Sequence, residues 1–241
     1  MQRVFDLTSA AAVLAANPKA EPFIKAVRKF QSTISVSTDL AEVKKSVEEL
    51  QKMREDVDGH IARALLTHAV VVYSRASHTK AIERYDVGVI GAYSPQQREA
   101  HKVIVNLRDK VLAHFGPGGG WHDERVLYLE QDHGDAITAV HHRVNSDSMV
   151  FDILEYLLEA AIPYVKDKEV DRAKEIDAEL IKAPELFKLI DRIPFDVEEF
   201  YKDVPGGIEN FWGPKGFVTE RTVKSTNKIE DPNREKPKRR R

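Results

Sequence analysis

Arg108 and His114 in the stretch RDKVLAH bring together the two side chains that metal-free cleavage of RNA requires. Moving the 2′-hydroxyl proton needs a group that titrates near neutral pH, and the charge that builds on the phosphate needs a permanent cation. Asp109 directly follows the arginine, and Lys110 adds a second cation. The same residues also have a purely structural use. A histidine at the C-terminal end of a helix complements the helix dipole, and an arginine can lie along a neighbouring helix or pair with an acid.

Spacing alone does not single the pair out, because Arg54…His60 (REDVDGH) and Arg63…His68 (RALLTH) fit it as well. RDKVLAH differs in three ways. A polar residue follows its arginine, it lies on the last turns of a well-capped helix, and it runs into Gly116-Pro117-Gly118-Gly119-Gly120, which a helix cannot continue through. REDVDGH crosses Gly59 at an expected helix break, and RALLTH has Ala64 after its arginine.

The helix that carries the pair is predicted over 95–114. Ser94 is placed as its N-cap, Pro95 at its first position and Gln97 to complete a capping box. At about 100° per residue, Ala100, Val103, Ile104, Val111 and His114 fall within about 60° of Leu107, which makes them the expected core stripe. Arg108, His101, Leu112 and Val105 form a second group between about 100° and 160°, so the apolar arc spans about 200°. Either another helix of the same bundle or the same helix of a second subunit must cover that second side. His101 and Arg108 share it, and His101 and Lys110 are the expected substrate-binding residues beside the pair.

Around this helix the pattern is mainly α. Helices are predicted at 10–17, 21–31 and 38–57, the last with Leu40, Val43, Val47, Leu50 and Met53 at three- and four-residue spacing. The run 60–78 is apolar around nearly its whole circumference and reads as a central helix, and 79–93 reads as a loop. The runs 125–131 and 136–144 flank Asp132-His133-Gly134-Asp135 and predict a β-hairpin. Helices resume at 147–165 and 169–180, with a shorter one after Pro184. The expectation is a helical bundle with one inserted β-hairpin at about 125–144. A single domain is expected over 1–204, followed by a loop and a disordered basic tail over 205–241.

At 241 residues, 42% hydrophobic and 32% charged, the chain can bury a sizeable core. No run approaches the roughly 18 apolar residues that span a bilayer, and the N-terminus lacks a signal-peptide layout, so a cytoplasmic protein without a membrane partner is expected. The absence of cysteine excludes disulfides, thiolate nucleophiles and cysteine-ligated metals. Residues 214–241 carry ten Lys/Arg against four acids, a balance of +6 within an overall charge of −2, which leaves −8 on the preceding residues. The basic tail fits either non-specific attraction to nucleic acid or a solubilising segment.

Other constellations carry less. His122, Asp123, Glu124, Asp132, His133, Asp135, His141 and His142 are metal-ligating types, but adjacent His141 and His142 point to opposite faces of a strand, and no metal site is expected. Glu155 and Glu159 share a helix face without a glutamate–histidine pair, and GPGGG lacks the lysine and hydroxyl of a P-loop. No cofactor is expected, and no serine has a nucleophile-elbow context.

Leu107-Arg108-Asp109-Lys110-Val111-Leu112-Ala113-His114 resembles the arginine, polar residue, spacer, histidine motif of the HEPN superfamily (higher eukaryotes and prokaryotes nucleotide-binding). The preceding helix THAVVVYSRA is similar to those of helical bacterial members, of abortive-infection or toxin type. The resemblance implies an α-helical bundle, a homodimer that brings two motifs together, and a metal-independent ribonuclease of stress response or phage defence. It also implies an antitoxin-type protein partner. By the same resemblance Arg108 holds the phosphate, His114 acts as acid or base, and Asp109 orients them. A second expectation, from another class, is a non-catalytic binding or dimerisation scaffold in which these residues stabilise an interface.

Overall fold

The two longest described helices are each continuous where the sequence predicts two. A computed structural model describes residues 4–53, 59–77, 84–112, 122–130, 136–143 and 148–213. Among these, α1 spans Leu7–Val13, α2 Glu21–Lys52, α3 Gly59–Ser77, α4 Pro95–Leu107, α5 Ser148–Lys182, α6 Pro184–Ile190, α7 Val197–Phe200 and α8 Gly207–Trp212. The strands β1 (His122–Leu129) and β2 (Ala136–Arg143) pair antiparallel, so the architecture is mainly α with one hairpin.

The predicted break between 31 and 38 does not occur, because the hydroxyl-rich run QSTISVST satisfies itself within the helix. Ser32 Oγ donates to the Arg28 carbonyl and Thr38 Oγ1 to the Ile34 carbonyl, both at 2.9 Å. The gap expected at 166–168 is likewise helical, since Lys-Asp-Lys contains no breaker, and Pro163 is accommodated within α5. The described residues of Met1–Ser32 and Asp167–Arg241 form one compact unit, those of Thr33–Lys166 the other. At the first break the buried face of α2 shifts from the side of Phe23 and Val27 to that of Val36, Leu40 and Val43. At the second the stripe of α5 runs on from Val165 through the buried Arg172 to Ile176, so polar residues interrupt the apolar pattern without ending the helix.

In the first unit, Phe23, Ile24, Val27, Leu180, Leu186 and Ile190 form the core with Ala10, Ala11 and Leu14. The N-terminal segment is pinned by backbone bonds from Asp6 to Ile193 and from Phe195 to Val4. Residues after Pro205, expected as loop, include α8. Gly206 takes a left-handed conformation at φ 72°, and the turn that follows buries Phe211 among Phe195, Tyr201 and Trp212.

In the second unit, Leu40, Val43, Val47, Leu66, Val70, Ile104, Leu107, Val150, Leu154, Leu157 and Val165 build the core from four helices. Two polar features lie within it. Asp39 on α2, 8% exposed, accepts two bonds from Arg75 at 2.6 and 3.1 Å, and Arg84 reaches it at 3.3 Å while also donating to Ser35 Oγ at 2.7 Å. Tyr73 on α3 places its hydroxyl 2.9 Å from both Tyr93 Oη and His101 Nδ1. Together they tie α3, the segment before α4, and α4 itself. The capping box at Ser94 forms as predicted, and Gln97 also donates to the Tyr156 carbonyl of α5 at 3.0 Å. No described helix is long and apolar enough to cross a membrane.

Removing the Asp39 carboxylate strands Arg84, whose side chain is only 14% exposed. Asp39→Ala is expected to lower unfolding stability by about 3 kcal/mol, against less than about 0.5 kcal/mol for breaking the exposed Lys44–Glu48 pair, measured by urea titration. Burial also pushes the Tyr93 hydroxyl up from 10.0 to about 12, and burial pushes Tyr73 further in the same direction. Between those limits the folded chain holds protons that the unfolded chain releases, so this stability is complete below pH 10 and lost as pH rises toward 12. Tyr93→Phe should flatten the alkaline limb of a pH-dependent thermal melt, and an unchanged limb would count against the buried hydroxyl as its source.

Candidate functional site

Helix α4 turns its buried face differently from the predicted stripe. Gln97, His101, Ile104 and Leu107 are buried, whereas Val103, expected in the core, is 44% exposed. His101, expected on the second side beside Arg108 and as a substrate-binding residue, is 6% exposed and lies against Tyr73 and Tyr93 of the same chain. This corrects its assignment to substrate. A polar ring can enter the core when a buried hydroxyl takes its nitrogen, and Tyr73 supplies that hydroxyl. At this point the second side of α4 is covered by another helix of the same bundle.

Arg108 continues the buried stripe by sequence position, four residues after Ile104. A guanidinium cannot be buried there unpaired. At this residue the helix widens into a π-helical turn, Arg108–Leu112, no residue of which is fully buried. Val111 and Leu112 keep partial contact with the core, and the turn packs on α3. Arg108 and Asp109 are 44% and 45% exposed, with Arg108 Nη1 donating to Asp109 Oδ1 at 2.6 Å. That is the one bond the guanidinium makes among the described residues, leaving its other N–H groups open. Lys110 is exposed beside it. His114 lies outside the described residues, as do the glycine cluster and Arg54 of the REDVDGH stretch.

The RALLTH stretch, which matches in spacing only, falls on α3. Arg63 and His68 line one open groove with His60, Ala64, Thr67 and Val71. Sequence reading misses this face because α3 is apolar nearly all round. The signal is the recurrence of polar residues at 60, 63, 67 and 68, three to four positions apart, within that apolar helix.

On the hairpin, register places Asp123 opposite His142 and Glu124 opposite His141, and Asp123 is engaged by Arg125 at 2.6 Å. Asp132, His133 and Asp135 lie outside the described residues, and among those described no group of three His, Asp or Glu side chains could hold a metal ion. A second cavity lies between Arg84–Ile90, Val36 and Ala76, where the Arg84 Nε is buried without a partner among the described residues.

Compared with known proteins, the chain matches no family model, no curated protein and no solved structure.

Proposed function

We propose that this chain is a HEPN-like, metal-independent endoribonuclease of stress response or phage defence. The observation that carries the reading is the exposed guanidinium of Arg108 on a π-helical turn, held among the described residues by a single bond. Such turns recur at functional sites, and a cation in that position can meet a phosphodiester without first being unburied. Arg108 would stabilise the phosphate, and His114, six residues on in the motif, would transfer the proton. The acids and bases of the motif suffice for this chemistry, with RNA as substrate. A second copy of the chain, an antitoxin-type partner and a cytoplasmic setting belong to the same reading.

The pairing of Arg108 with Asp109 favours a second reading, a non-catalytic binding or dimerisation scaffold, because it already neutralises the cation. RNA cleavage in EDTA separates the two. The purified protein should cut structured RNA, and Arg108→Ala and His114→Ala should each slow it by roughly 100-fold or more. Cutting that survives both substitutions, or none by the folded protein across several RNAs, would sink the enzymatic reading.

Asp109 supplies an independent check. Replacing its charge while keeping its shape, Asp109→Asn, frees Arg108 and removes repulsion toward phosphate, so RNA should bind several-fold tighter with a steeper salt dependence. Weaker binding in a filter assay would instead make the carboxylate part of the RNA contact.

A further inference from the structure

We infer that the groove along α3 is a binding site for a phosphate group, separate from the turn at Arg108. Its described lining is His60, Arg63, Ala64, Thr67, His68 and Val71, a set that combines a guanidinium, two imidazoles and a hydroxyl with no carboxylate. This is unusual in a chain whose residues before 214 carry −8. The positions recur three and four residues apart, so the helix stacks them on one face.

Two further observations give the face its direction. Arg63 has no hydrogen bond or ion pair among the described residues, so its charge is uncommitted, in contrast to Arg75 and Arg84, which Asp39 holds. His68 is held in one orientation from behind. The buried Ser46 Oγ donates its single proton to the Glu42 carbonyl at 3.0 Å and lies 2.9 Å from His68 Nδ1. When that proton rests on the Glu42 carbonyl, which can only accept, the Nδ1 carries a hydrogen and donates to Ser46, and Nε2 is left for the groove. Ala64 leaves room between Arg63 and His68, and Val71 supplies an apolar wall. A tetrahedral anion matches this arrangement, with Arg63 and the Thr67 hydroxyl donating to its oxygens and His68 meeting it from the other side. Either a free phosphate or the backbone of a nucleic acid carries that group.

The test uses the full chain and reads the histidine ring resonances by NMR. The free protein should report the Nδ1–H tautomer at His68. Inorganic phosphate, and separately a short single-stranded RNA, are then titrated in. Movement of the His68 signals by both probes supports a site for nucleic-acid backbone, and movement by phosphate alone supports a site for a small anion. Arg63→Gln should weaken either response by about tenfold or more. Ala64→Asp, at an exposed helical position that tolerates the change, should abolish it. Silence of His68 toward both probes, or an affinity unchanged in Ala64→Asp, overturns the site. Because the readout is binding and not cleavage, it stands or falls apart from the ribonuclease reading.

Discussion

The hydroxyl of Tyr73 is the constraint on which the arrangement around α4 depends. It sits in the core between Tyr93 Oη and His101 Nδ1 at 2.9 Å from each, so three polar groups that water would otherwise solvate satisfy one another in an apolar setting. Such a network tolerates little rotation, because a turn of α4 that withdrew His101 would leave a buried hydroxyl and a buried ring nitrogen short of partners. The network therefore fixes which face of α4 looks inward, and with it the direction in which Arg108 leaves the helix. The capping box at Ser94 and the Gln97 bond to α5 fix the other end of α4 in the same way.

With both ends held, the conflict is concentrated at Arg108. Continuing the regular helix would carry a guanidinium along the buried stripe, whereas ending the helix there would withdraw Val111 and Leu112 from the core. A π-helical turn resolves both demands: the arginine emerges into solvent and the two apolar residues keep partial burial. The same reasoning accounts for Asp39, where burial is accepted because two guanidinia converge on one carboxylate.

Much of this was legible in the sequence, and the failures have a common cause. The mainly α class, the hairpin, the α4 capping box and the central α3 follow from local signals that tertiary packing does not override. The two long helices read as four because periodicity reports apolar burial: in α2 the buried face shifts along the helix, and in α5 a polar stretch holding the buried Arg172 interrupts the stripe. His101 reads as a substrate contact because a one-dimensional pattern does not reveal that Tyr73, 28 residues away, supplies its hydrogen bond. Of the candidate site, residue type and position point to Arg108, Asp109 and Lys110, while the apolar character of its helix hides the α3 groove.

What distinguishes the cations of this chain is how firmly each is held. Arg84 is buried against Asp39 and Ser35, and moving it would leave the buried carboxylate to Arg75 alone, so its charge is structural. Arg108 makes one exposed contact with Asp109, of a kind worth about 0–1 kcal/mol, which an incoming phosphate can displace at little cost. Arg63 has no such partner among the described residues and faces a groove whose described lining holds no acid. In a body whose overall charge repels anions, sequence proximity to acids says little about where one can settle. Availability decides it, and two lightly held cations lie on α3 and on the π-helical turn that packs against it.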